Sequence, residues 1–274
     1  MTFKSILAPL APSEDKQAGA EFAVSMAEAL GARVSVFAYA LYPDAPGRGL
    51  PWSPKGIIEN HLAKATKAAQ VAGQKLNALA KRARIQTSTE IVRSTLHEAI
   101  ASFAEHARVH DVSVLTQSRP GLEHVGDLFA EAALFYSGRP LILVPKDYSL
   151  PFYTDRILIA WDGSQHAARA VSHAMPLLAL AKKIEVLVVG DKEKVEKSRA
   201  KNLAANLECH GFDVELICRK RSDDAGEIAR ECKVWGASLL VMGGYGHSRA
   251  RELFFGGVTR YMVTNAAVPV LMAY

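Results

Sequence analysis

The chain has 274 residues, about twice the usual length of one domain, with 49% hydrophobic and 22% charged residues and a formal net charge of +5. That balance excludes a disordered polymer, and Gly 19, Pro 12 and Cys 3 exclude a collagen-like repeat or a disulfide scaffold. No apolar run approaches the roughly 20 residues of a membrane span, and the opening MTFKSILAPLAPSEDK is too short in apolar residues for a signal peptide. A cytoplasmic location is expected.

Strand-like and helix-like runs alternate from the start. Residues 5–9 (SILAP) read as a strand, and 14–30 as a helix with apolar Ala18, Phe22, Met26 and Ala29 that stops at Gly31. Residues 33–39 alternate as a strand. A segment with four prolines and Trp52 (41–55) follows, readable as a surface loop or as a flap over a pocket. Then come a long helix over 57–84, a strand at 87–92, a helix at 96–108, a strand at 112–117, a helix at 127–137 and a strand at 140–144. Its KRAR cluster, 81–84, suits a helix C-terminus, and dispersed basic residues argue against a nucleic-acid partner.

The second half repeats this order: strands at 156–161, 184–189, 213–218, 238–243 and 268–273, and helices at 165–181, 196–210, 225–234 and 257–265. Both halves therefore read βαβαβαβαβ, the pattern of parallel sheets covered by helices. Ile6–Leu7–Ala8 aligns with Ile157–Leu158–Ile159, Pro140–Leu141–Ile142–Leu143 with Pro269–Val270–Leu271–Met272, and Thr95…Glu98 with Asp224…Glu227, both of which resemble capping boxes. Units of 1–147 and 153–274 are expected, divided within 145–154.

The densest chemical signal is the segment Met242, Gly243, Gly244, Tyr245, Gly246, His247, Ser248, Arg249 through Gly256, Gly257, Val258 and Thr259. Glycines between a strand and a helix let backbone N–H groups turn toward an anion, the helix start adds free donors, and His247, Arg249 and Arg251 add charge. A plain turn with glycines at positive φ is the alternative reading. The segment is neither a Walker A loop nor a GxGxxG fingerprint.

Gly243-x2-Gly246-x9-Gly256, followed by Val258 and Thr259, resembles the nucleotide-binding motif of the universal stress protein family, and Trp161-Asp162-Gly163-Ser164 resembles its DGS element. The resemblance implies two tandem doubly wound, five-stranded, mostly parallel sheets of the adenine nucleotide alpha hydrolase-like kind, strand order 3-2-1-4-5. The halves would pack about an internal two-fold as a pseudo-dimer, with further pairing of whole chains plausible. It also implies ATP or a related adenine nucleotide, with or without Mg2+, held by Asp162, Val189, Met242, Gly243, Gly246, His247, Arg249, Gly256, Gly257, Val258 and Thr259.

Two departures stand out. Gly257 occupies a position where the family has a hydroxyl residue. Trp161, bulkier than usual, can stack on a base or fill part of the pocket. In the first half Ala11 replaces Asp162, Gln117 replaces Gly243, Pro120 replaces Gly246, and Asp127 falls near Gly256, so that site is expected to be degenerate.

Other groups read as structural. Ser164 and Ser222 suit N-caps, Asp223 and Asp224 a helix start, and His210 a helix end. His166 and His173 lie seven apart on one helix, and His97–Glu98 is not HExxH. Cys209, Cys218 and Cys232 have no CxxC spacing and are expected to be reduced, packed thiols. No nucleophile–base–orienter set appears. The expectation is a nucleotide-responsive stress protein that modulates a protein partner, without membrane attachment and at most a slow ATPase. The alternative is a nucleotide-independent interaction scaffold.

Overall fold

The structure, a computed structural model, describes residues 2–10, 17–42, 55–117, 125–220, 223–244 and 257–274. In the first half, β1 (Ser5–Leu10), β2 (Arg33–Leu41), β3 (Thr87–Ser94), β4 (Val112–Thr116) and β5 (Leu141–Val144) alternate with α1 (Ala18–Leu30), α2 (Lys55–Arg82), α3 (Leu96–Arg108) and α4 (Val125–Tyr136). The second half has β6 (Arg156–Ala160), α5 (Gln165–Leu178), β7 (Lys183–Val189), α6 (Lys192–Lys197), α7 (Ala200–Cys209), β8 (Val214–Arg219), α8 (Asp224–Trp235), β9 (Leu239–Gly243), α9 (Gly257–Asn265) and β10 (Val270–Ala273).

The strand order is β3-β2-β1-β4-β5-β10-β9-β6-β7-β8. Each half has the order 3-2-1-4-5 and is parallel throughout, and the two join into one ten-stranded sheet. The join is antiparallel, with Val270 opposite Leu143, Leu271 opposite Ile142 and Met272 opposite Leu141. Ile142 and Leu271 follow Pro140 and Pro269 by the same two residues, so equivalent positions face each other across a local two-fold. Pairing these strands removes two sheet edges that would otherwise present open backbone groups.

Strand alternation assigns side chains to two cores. Ile6, Ala8, Ile142, Ile157, Ile159 and Leu271 pack on one face with Phe22, Met26, Ala170 and Leu177 of α1 and α5. Leu7, Leu141, Leu143, Leu158, Leu240 and Met272 pack on the other with Phe103, Phe129, Ile228 and Met262 of α3, α4, α8 and α9. Both cores cross the midline, which ties the halves into one packing unit.

Local chemistry sets the helix ends. Thr95 and Glu98 form the expected capping box, and Gly31 (φ 59) closes α1 in the left-handed conformation. The corresponding box at Asp224…Glu227 does not form. The N-cap of α8 is Asp223, whose side chain accepts the Gly226 N–H, while Glu227 pairs with Arg230 instead. Ser222 lies outside the described residues, as do Ala11, Trp52 and Pro120. The helix expected over 196–210 is broken at Ser198–Arg199, with Arg199 at φ 57, because the loop after β6 packs against this point. Of the three thiols, Cys232 is buried, while Cys209 and Cys218 are exposed rather than packed. No described helix is long and apolar enough to cross a membrane.

Candidate functional site

β6 is the strand from which the chain runs outward to β7 on one side and pairs with β9 on the other, so the connections diverge there. In doubly wound sheets ligands bind beyond the carboxyl ends of strands at such a switch point. A cleft of about 350 Å³ opens there, lined by the ends of β6 (Ala160), β7 (Leu187, Val189) and β9 (Met242, Gly243), the loop Trp161–Asp162–Gly163–Ser164, Asp224 and Ile228 of α8, and the start of α9 (Gly257, Val258, Thr259).

Seven residues singled out by sequence therefore share one cleft: Asp162, Val189, Met242, Gly243, Gly257, Val258 and Thr259. Gly246, His247, Arg249 and Gly256 lie outside the described residues. Leu187, Asp224 and Ile228 were not anticipated. Leu187 shares a face with Val189 at the strand period, and Asp224 and Ile228 are four apart on one helical face, so periodicity carried that signal.

The loop after β6 is fixed by its own polar groups. Asp162 Oδ1 accepts the Ser164 N–H at 2.9 Å, and Ser164 Oγ accepts the Ala167 N–H at 3.1 Å as the N-cap of α5. Gly163 has φ 81, and a Cβ there would lie 2.8 Å from Ser198 Cα, so only glycine fits. Trp161 Nε1 donates to Ser198 O at 2.7 Å. The indole is therefore pinned to the break between α6 and α7, forming one wall of the cleft.

Gly243 answers to packing as well as to any ligand. A Cβ there would come 2.6 Å from Ala167 N and 2.9 Å from His166 C, so its absence lets β9 touch the first turn of α5. His166 is buried beside it and stacks on Tyr274 at 4.5 Å. Burial, then the Arg169 guanidinium, lower the His166 pKa, with Asp162 opposing.

Matched backbone hydrogen bonds define which positions of the halves correspond. Arg33 N–H donates to Lys4 O as Lys183 N–H does to Asp155 O, and Ser113 N–H to Pro140 O as Leu240 N–H does to Pro269 O. On this register Gln117 corresponds to Gly244, not to Gly243 as the sequence alignment had it. Gln117 N–H donates to Val144 O and Gly244 N–H to Ala273 O. Thr116 takes the place of Gly243, and its hydroxyl accepts the Gly19 N–H at 2.9 Å.

The same register places Phe37 at the position of Leu187 and Tyr39 at Val189; counting back from Pro140 and Pro269 places Phe129 at Val258, and the N-caps Thr95 and Asp223 place Phe103 at Glu231. Phe129 lies 4.8 Å from Tyr39, 5.1 Å from Phe103 and 6.0 Å from Phe37 between ring centroids. Aromatic rings fill in the first half the volume that is a cleft in the second. Asp127 sits in the first turn of α4, where the helix dipole favours a carboxylate.

Beneath the cleft the second half carries buried charge. Arg219 Nε and Nη2 donate to Glu231 at 3.0 and 3.2 Å, and Arg230 Nη2 donates to Glu227 at 2.6 Å. Glu185, on β7 below Leu187, is 2% exposed, and its Oε1 has no hydrogen-bond partner among the described residues. Burial, then Glu231 and Glu215, push its carboxyl up to about 7 against the opposing pull of Arg219. No group of three or more His, Cys, Asp or Glu able to hold a metal occurs among the described residues.

A cleft at the switch point of a doubly wound sheet, floored by apolar strand ends and lipped by a helix N-terminus, is where α/β proteins of this architecture take small ligands. Residues 189–273 match the model of the Universal stress protein family. A universal stress protein of Synechocystis is 27% identical over 137 residues, 48% of this chain and 46% of that protein, so the match spans about half of the curated relative. The crystal structure of a universal stress protein from Archaeoglobus fulgidus superposes with a TM-score of 0.75 at 14% identity, covering 98% of this chain and 97% of that one. A functionally unknown protein of Pseudomonas aeruginosa superposes at 0.62 with 15% identity, covering 99% and 92%. Residues 189–273 thus carry a universal stress protein domain, and the whole chain shares its tandem α/β fold with the Archaeoglobus structure.

Proposed function

We propose that the cleft of the second half binds ATP or a related adenine nucleotide, and that the protein is a cytoplasmic stress-response module whose bound state is read by a protein partner. In this reading the units are residues 1–147, with a lapsed site, and 153–274, with the working one. The observation that carries it is the convergence of the seven family-pattern residues on one cleft.

The chemistry of the walls suits the parts of a nucleotide. Leu187, Val189, Ile228 and Met242 offer an apolar slot for a base. Asp162 commits Oδ1 to its turn, leaving Oδ2 to accept from the adenosine. α9 starts at the lip, where its first N–H groups lack intrahelical partners and its dipole favours anions, so the phosphates belong there, with the glycine segment before it. An accompanying Mg2+ would be held chiefly by the phosphates. This reading gives the cleft a holding role, with at most slow hydrolysis, since its described residues include no activated nucleophile–base pair.

Two substitutions move affinity in opposite directions. Asp162→Ala removes a charged acceptor worth about 1.5–3 kcal/mol and weakens ATP binding by about tenfold or more. Gly257→Ser supplies the hydroxyl the family has there. A Cβ at Gly257 meets nothing within 4 Å, so serine fits, and one neutral hydrogen bond of about 0.5–1.5 kcal/mol tightens binding about two- to tenfold. Calorimetric titration of both variants checks this. Unchanged affinity in both would refute the assignment, and no wild-type binding at millimolar ATP would favour the scaffold.

A further inference from the structure

The first half reaches across the midline to elements that surround the cleft. Gln117, just past β4 and buried, donates from Nε2 to Met262 O at 2.8 Å. Met262 lies among the last four residues of α9, whose carbonyls have no partner within the helix. The Gln117 amide thus caps the C-terminal end of the helix whose other end, Gly257–Val258–Thr259, forms the lip of the cleft. Leu134 of α4 stands against Gly244, where a Cβ would lie 2.9 Å from Leu134 Cδ2. Phe135 meets the ring of Tyr274 at 4.8 Å, and Tyr274 stacks on His166 in the first turn of α5. The start of α5, the end of β9 and the C-terminal part of α9 therefore bear on the first half.

The equivalent positions Gln117 and Gly244 show how the halves have diverged. On the first-half side a long amide crosses the local two-fold to the other unit's helix. On the second-half side the side chain is absent, and Leu134 occupies its space.

We propose that Gln117 is a positioning residue for the cleft of the second half: by capping α9 from the other half, it fixes where α9 presents its N-terminal N–H groups. This rests on the nucleotide reading of that cleft. α9 has nine residues, two and a half turns, so it moves as a short rod and a tether at one end sets the other.

Gln117→Met keeps the side-chain length and removes the donor, with Gln117→Leu as a second variant. Phe103→Leu, in the first-half aromatic cluster away from the midline, is the control for general loss of stability. Two readouts separate the ideas. In the ligand-free protein, hydrogen exchange of the α9 amides rises about tenfold in both Gln117 variants and not in Phe103→Leu. Affinity for ATP falls about tenfold in the Gln117 variants and is unchanged in the control. Unaltered α9 exchange, or an equal loss of affinity in the control, overturns the proposal. Wild-type protein that takes up no ATP overturns the nucleotide reading instead, and α9 exchange then decides whether Gln117 holds the helix.

Discussion

Phe129→Ala is expected to destabilise the protein by about 3–5 kcal/mol, as full truncation of a buried aromatic does. Phe129 is 1% exposed and meets Phe37, Tyr39 and Phe103 edge-on or tilted, with centroids between 4.8 and 6.0 Å. Alanine would leave a hole between the sheet and α3 that these rings cannot all move to close. Because both cores cross the midline, the loss should appear as an earlier single transition in urea. The equivalent change in the second half, Val258→Ala, removes a half-buried side chain facing an open cleft and should cost less than about 1 kcal/mol. Equal losses for the two would refute the filled-versus-open contrast between the halves.

The second large effect depends on pH. Glu185 lies opposite Glu215 and is acted on by Arg219 of β8 and Glu231 of α8, whose Cys232 it also influences, while Arg219 is already bound to Glu231 and Arg230 to Glu227. Its folded-state pKa, about 7, lies above the ordinary 4.5, so the folded protein holds the proton more tightly than the unfolded chain. That contribution is complete below pH 4.5 and is lost as pH rises through about 7. At about 1.4 kcal/mol per unit, the loss between these limits is roughly 3 kcal/mol. Glu185→Gln cannot ionise, so its advantage over wild type should grow by about that amount between pH 5 and pH 8. Urea midpoints of both proteins at the two pH values give the difference, and a constant difference would contradict the assignment. The Cys232 thiol, pushed up to about 12 chiefly by burial, stays protonated throughout.

The duplication was legible because each strand is an apolar run such as Arg156–Ala160 or Val270–Ala273, and each helix repeats at its own period. Asp162, Gly243 and Gly257–Thr259 could be chosen before the cleft was seen because they sit at the ends of those runs, where the chain must turn. The join between the halves was less open to reading. The four-residue strands Leu141–Val144 and Val270–Ala273 are apolar on both faces, and nothing in their pattern fixes an antiparallel register between them.

Long-range contacts account for most of what was missed. The helix break at Ser198 answers to Trp161 and Gly163, more than thirty residues away. Gln117 was read as a lost glycine because a one-residue slip cannot be detected without the strand register, and its partner is 145 residues distant. The filled first-half cleft was visible in principle as Phe37, Tyr39, Phe103 and Phe129, yet these residues are equally at home in any core. Only the comparison of equivalent positions makes them the counterpart of a site.

The central claim is that one unit of the tandem pair keeps an adenine-nucleotide site and the other has closed it. Calorimetric titration of the intact chain with ATP tests this most directly through its stoichiometry. One site per chain, weakened by Asp162→Ala, is the predicted result. Two equivalent sites per chain, or no heat of binding at millimolar ATP, would contradict it.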